Sequence, residues 1–144
     1  EDLIQRFIAL AFLAPIIAAM GGNAGTQSLA ITLRRLTLGE GELGERPWRA
    51  VGKEVLVGLT NGAALGLLAS FIGYQVSGSP TMGLVVALAM WGNLAVAGFA
   101  GAFVPTLLDR LGLDPAVASS VFVHTMTDLV GFFLLLGIAS ALLA

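Results

Sequence analysis

The chain has 144 residues and a net charge of −2; it is 57% hydrophobic and 11% charged, with a mean hydropathy of +0.93. So few charges cannot coat a soluble surface of this size, since an ordinary soluble domain is about 25% charged. The absence of cysteine excludes a disulfide frame and a thiolate metal site, and the arginines form no basic face of the kind nucleic acid needs.

The opening residues, Glu1-Asp2-Leu3, carry acids where a signal peptide carries bases, so a piece of a longer protein is expected. Four apolar spans follow, at about 3–33, 51–76, 81–108 and 115–143. Each exceeds the roughly 20 residues that cross the hydrocarbon core as a helix. They are continuous runs without the ten-residue alternation of a membrane β-barrel. The expected fold is therefore an all-α, polytopic helical bundle in a lipid bilayer.

The first span contains Pro15 and then Gly21-Gly22-Asn23-Ala24-Gly25-Thr26-Gln27-Ser28. Paired glycines weaken a helix and bring backbone carbonyls within reach of a neighbour or an ion. The polar side chains read equally as pore lining, with Asn23 and Gly22 as candidates, or as interhelical hydrogen-bonding groups. No G-x-G-x-x-G, preceding strand or P-loop lysine supports nucleotide binding. Gly22-Asn23-Ala24-Gly25 has a weak echo in Gly92-Asn93-Leu94-Ala95 of the third span, as internal repeats of transporters do.

Residues 34–50 hold Arg34, Arg35, Arg46 and Arg49 among Glu40, Glu42 and Glu45, and read as a loop with a short surface helix. Gly58, Gly62 and Gly66 in the second span make a small-residue packing stripe. Asn61 and Asn93 read as buried amides bonded between helices; Trp48 and Tyr74 fit interfacial belts. Asp114 before Pro115 reads as an N-cap with proline at the first helical position. With four crossings, Arg34, Arg35, Arg46, Arg49, Lys53 and Arg110 fall on one side and only Arg6 on the other. The positive-inside rule then makes 34–50 and 109–115 cytoplasmic. A regulatory region on the cytoplasmic side at the N-terminus would need one more helix upstream.

The last span carries the strongest chemical signal. Asp128 is the only acid beyond Asp114, roughly 20 Å along the helix from it. A carboxylate at that depth needs water, an ion or a partner, and no base shares its layer. His124 lies four residues earlier on the same face. The pair is half of a zinc site or of a proton relay. Thr125 and Thr127 have the option of bonding back to carbonyls of the preceding turn, and Thr125 alternatively faces the same path. There is no catalytic set: Ser28 has no nearby base and Asp128 no second acid, so the protein is not read as an enzyme.

Pro15, then Gly-Gly-Asn-x-Gly-x-Gln-Ser at 21–28 and Arg34-Arg35, resembles the signature of the MgtE magnesium channels. So does the run Asn93, Pro105, Leu111-Gly112-Leu113-Asp114-Pro115-Ala116, Ser119, Thr125, Asp128 and Gly131. The resemblance implies a homodimer whose pore lies on the dimer axis, with this chain supplying the second to fifth membrane helices. Cytoplasmic CBS-type regulatory domains and one upstream helix would lie outside it. It also implies that paired Asp128 carboxylates hold largely hydrated Mg2+, helped by the backbone carbonyl of His124, with Thr125 nearby and Ser120 lining the path. Three positions depart from the pattern. Ser120-Val121 stands where the family has Asn or Gly followed by Pro, and His124 where a small residue is common. An imidazole there favours softer divalent ions or adds pH dependence. The competing readings are a proton- or sodium-coupled transporter using His124 and Asp128, and a non-conducting assembly domain built on the Gly58 stripe.

Overall fold

A computed structural model describes residues 2–39, 46–118 and 120–143. Four helices account for nearly all of them: α1 (Asp2–Thr37), α2 (Pro47–Ser77), α3 (Pro80–Arg110) and α4 (Ser120–Leu143), with a 3-10 turn at Pro115–Val117. No strand occurs among the described residues. All four helices are long and apolar enough to cross a membrane. The chain is an all-helical, multi-pass membrane protein, as its composition requires. At about 1.5 Å per residue even α4 exceeds a core of roughly 30 Å, so the helices tilt or project beyond it.

The helix ends differ from the spans read from hydropathy. α1 continues to Thr37 through Arg34 and Arg35, because cations in a last turn interact favourably with the helix dipole and its open carbonyls. It also runs unbroken through Pro15 and Gly21-Gly22. α2 starts at Pro47, with Arg46 as its N-cap. The proposed loop 34–50 therefore shrinks from both ends. The last span, expected from 115, is the main correction. Asp114 does cap, its Oδ1 accepting from Ala116 N–H at 2.9 Å, but it caps the 3-10 turn, and α4 begins only at Ser120. Glu1, Glu40, Glu42, Glu45 and Ser119, invoked above, lie outside the described residues.

α3 is the central helix and packs against the other three. Its Met82, Val85, Val86, Ala89, Met90 and Leu94 meet Leu13 and Ile17 of α1 and Leu135 of α4 in one apolar core. α2 packs almost entirely on α3. There the stripe read from sequence brings backbones together: a Cβ on Gly58 would collide with the Leu94 carbonyl, and one on Gly62 would lie 3.0 Å from the Trp91 backbone. Trp91 Nε1 donates to Leu59 O at 3.1 Å across the same contact. The connection is tight: Gly78, at φ 67°, donates its N–H to Tyr74 O at 2.7 Å, and Pro80 opens α3. A left-handed residue at that position favours glycine, whose lack of Cβ removes the steric cost.

Buried amides join the bundle only in part as expected. Asn93 is fully buried between Gly21 and Gly131, and its Nδ2 donates to Ile17 O at 3.0 Å. Asn61, by contrast, is exposed on α2.

Candidate ion site between the first and last helices

Every fourth residue of α4 from Val123 to Ala139 is buried: Val123, Thr127, Gly131, Leu135 and Ala139. His124 and Asp128 each follow one member of this stripe, so they lie along its flank and are half-buried. The His124 ring lies on Gly22 of α1; a Cβ there would collide with the ring and stand 2.7 Å from Nε2. Glycine at 22 is the condition for this contact.

The ring is oriented through Nδ1, which lies 2.9 Å from Ser120 O and 3.3 Å from Thr26 Oγ1. A carbonyl can only accept, so Nδ1 carries the proton. Thr26 in turn donates to Gly22 O at 2.9 Å, which leaves its oxygen free to accept from the imidazole. In the neutral ring the lone pair then sits on Nε2, the nitrogen over Gly22. Imidazole is thus held in one tautomer by a carbonyl and a hydroxyl, the arrangement that fixes the orientation of metal-ligating histidines.

Asp128 follows one helical turn along the same flank. It makes no hydrogen bond or ion pair among the described residues. An acid inside a membrane helix without a partner in its own chain is a functional-site feature by default. The remaining candidates scatter. Thr125 is exposed and bonds back to Val121 O at 2.8 Å. The His124 carbonyl accepts the Thr127 hydroxyl at 3.0 Å. Ser120 offers its carbonyl to His124, and Asn23 stands exposed on α1, away from the buried Gly22. The structure therefore gathers Gly22, Thr26, Ser120 and His124 in one contact, with Asp128 a turn away. Among the described residues no three His, Asp or Glu side chains converge on a common metal position. One copy offers an incomplete ligand set.

Two features escaped the sequence reading. Thr26 was part of the quoted motif, but its partner lies 98 residues away. Glu54, buried to 7% exposure, lines a cleft of about 40 Å³ with Gln27, Ser28 and Asn61. Its spacing to Gly58 and Asn61 puts all three on one face of α2, which was the available signal. The polar motif of α1 is thus divided. Gly22 and Thr26 meet α4, whereas Gln27 and Ser28 turn to the cleft against α2 and α3, where Ser28 Oγ donates to Gly98 O at 3.0 Å.

A family model described as MgtE, divalent cation transporter, matches residues 14–138. Three curated proteins bear the name magnesium transporter MgtE. That of Enterococcus faecalis is 39% identical over 140 residues, 97% of this chain. That of Thermus thermophilus is 37% identical over 144 residues and that of Bacillus subtilis 32% over 142, covering 99% and 98% of the chain. The chain spans about a third of the length of these relatives, 31% in each case.

Proposed function

The chain belongs to the MgtE family of divalent cation transporters, and from that premise we propose that it forms the magnesium-conducting membrane domain of a homodimer. The observation that carries this reading is Asp128: a half-buried acid in a membrane helix, without a partner among the described residues. Two-fold symmetry supplies the missing half, because a residue beside the axis meets its own copy. Two carboxylates with retained waters suit Mg2+, which sheds its hydration shell reluctantly and keeps several waters in most protein sites. Binding through those waters is weak enough for an ion to leave as readily as it enters. Thr125, Asn23, Gly22 and Ser120 are assigned to the path on either side. The reading is transport, and no chemistry is assigned to Ser28 beyond its bond to α3.

The count of bases assigns the α1–α2 and α3–α4 connections to the cytoplasm. The resemblance assigns a CBS-type regulatory region and one further helix to the relatives' remaining length. The non-conducting alternative loses its support, because the Gly58 stripe is covered by α3 of the same chain.

The test is Mg2+ uptake into liposomes containing the full-length protein, wild type against Asp128→Asn. The variant is expected to lose at least about tenfold in flux while keeping its helicity and oligomeric mass. Undiminished flux in a folded variant would refute the assignment. Uptake that follows an imposed proton or sodium gradient, in place of the magnesium gradient and voltage, would replace the channel with the coupled transporter built on His124 and Asp128.

A further inference from the structure

A second cleft, of about 320 Å³, opens where the last turns of α1 and α3 meet the first turn of α2. Three guanidinium groups line it, from Arg35, Arg46 and Arg110, against one carboxylate, Asp109. No ion pair within 4.0 Å joins them among the described residues. The helix dipole accounts for part of this charge. Arg35 closes α1 and Arg110 closes α3, where cations are favourable. Arg110 is also held over the Trp48 ring, 5.1 Å from its centroid.

The dipole leaves two donors unexplained. Arg35 Nη1 is buried and has no hydrogen-bond partner among the described residues. Thr32, 3% exposed and one turn earlier on α1, also keeps a buried Oγ1 without a partner among the described residues, unlike Thr37 and Thr106, which bond back to their own helices. Buried donors are paired in the great majority of cases, and an orphan is destabilising by roughly 1–3 kcal/mol. Both orphans lie on a cleft wall. The third wall is the start of α2, whose N-cap residue Arg46 makes no side-chain cap bond; Pro47 has no N–H and Arg49 N–H donates to Arg46 O at 2.8 Å, which leaves the Trp48 N–H as the first-turn donor without a partner among the described residues. One uncapped N–H at the positive end of a helix dipole, guanidinium forks and an orphan hydroxyl together describe an acceptor-rich anion.

We propose that this cleft binds a phosphate group, held by Thr32, Arg35, Arg46 and the N-terminus of α2. The depth of the site indicates how the phosphate arrives. Trp48, 43% exposed, lies tilted against Phe103 (5.6 Å between centroids) beside the cleft, and such aromatics mark the headgroup level of a bilayer. Basic pockets between membrane helices at this level take up anionic headgroups.

The test uses the full-length protein in detergent and native mass spectrometry with phosphatidylglycerol, phosphatidylcholine and inorganic phosphate. Wild type is expected to retain phosphatidylglycerol about tenfold more strongly than phosphatidylcholine. Thr32→Val and Arg35→Gln are each expected to lose about tenfold of that preference, the size of one charge-assisted hydrogen bond. Thr32→Val is the sharper variant. If Thr32 were a purely structural orphan, valine would keep or raise thermal stability and change nothing else. Displacement of the lipid by millimolar inorganic phosphate assigns the site to a free phosphate; retention of the lipid assigns it to the headgroup diester. Equal retention of both lipids by wild type, or equal phosphatidylglycerol retention by wild type and both variants, overturns the proposal.

Discussion

The imidazole of His124 depends on the absence of a single carbon. Alanine at 22 would place a methyl group 2.7 Å from Nε2, so the ring must leave its bonds to Ser120 O and Thr26 Oγ1. Overpacking of this kind costs about 1–3 kcal/mol. Gly22→Ala is therefore expected to lower thermal stability. It is also expected to shift the preference between cobalt and magnesium in competitive flux, because the displaced Nε2 no longer presents its lone pair at the same place. Unchanged stability and unchanged ion preference would show that the contact with Gly22 does not set the ring's position. Asp128 was legible in the sequence because charge is rare in an apolar run and its depth is a matter of counting. The orientation of His124 was not legible, because the groups that hold it come from two helices 98 residues apart. Glu54 was passed over beside Lys53 because it stands near the start of a span, where charge is unremarkable; only folding buries it against Gly98 and Ser28.

At the scale of elements, α2 and α3 approach so closely that side chains are excluded from the seam. Gly58→Ala sets a methyl group against the Leu94 carbonyl, a backbone atom that cannot turn aside. Gly52, earlier in α2, faces open space. Gly58→Ala is expected to destabilise by about 1–3 kcal/mol, and Gly52→Ala to be neutral or stabilising by up to roughly 1 kcal/mol through helix propensity. Paired denaturant titrations in mixed micelles measure both, and equal effects would contradict the seam. Four helices were readable from hydropathy because the bilayer dictates their length. Their ends were less so, as local chemistry decides them. Asp114-Pro115 carries the same first-turn signal for an α-helix and for a 3-10 turn, and the second formed. Arg34 and Arg35 read as loop residues, yet they serve as the last-turn cations of α1.

At the scale of the whole molecule, the proposed ion site is half of an object. A ligand set completed by symmetry predicts one magnesium ion for each two chains in calorimetric titration of the full-length protein in which Asp128→Asn removes one class of sites. One such ion per chain would exclude the shared site. The glycine stripe read as a small-residue packing seam, and α3 of the same chain occupies it.

The hairpin of α2 and α3 also bears on how the chain enters the membrane. Only Gly78-Ser79 separates the two helices, and neither residue is charged. With no ionic group to drag through hydrocarbon, the far end of the hairpin meets a low barrier during synthesis, and its turn hydroxyl already has a protein partner, Ser77 Oγ donating to Gly73 O at 2.7 Å. Two helices whose backbones touch can therefore leave the insertion machinery as a single preassembled wedge.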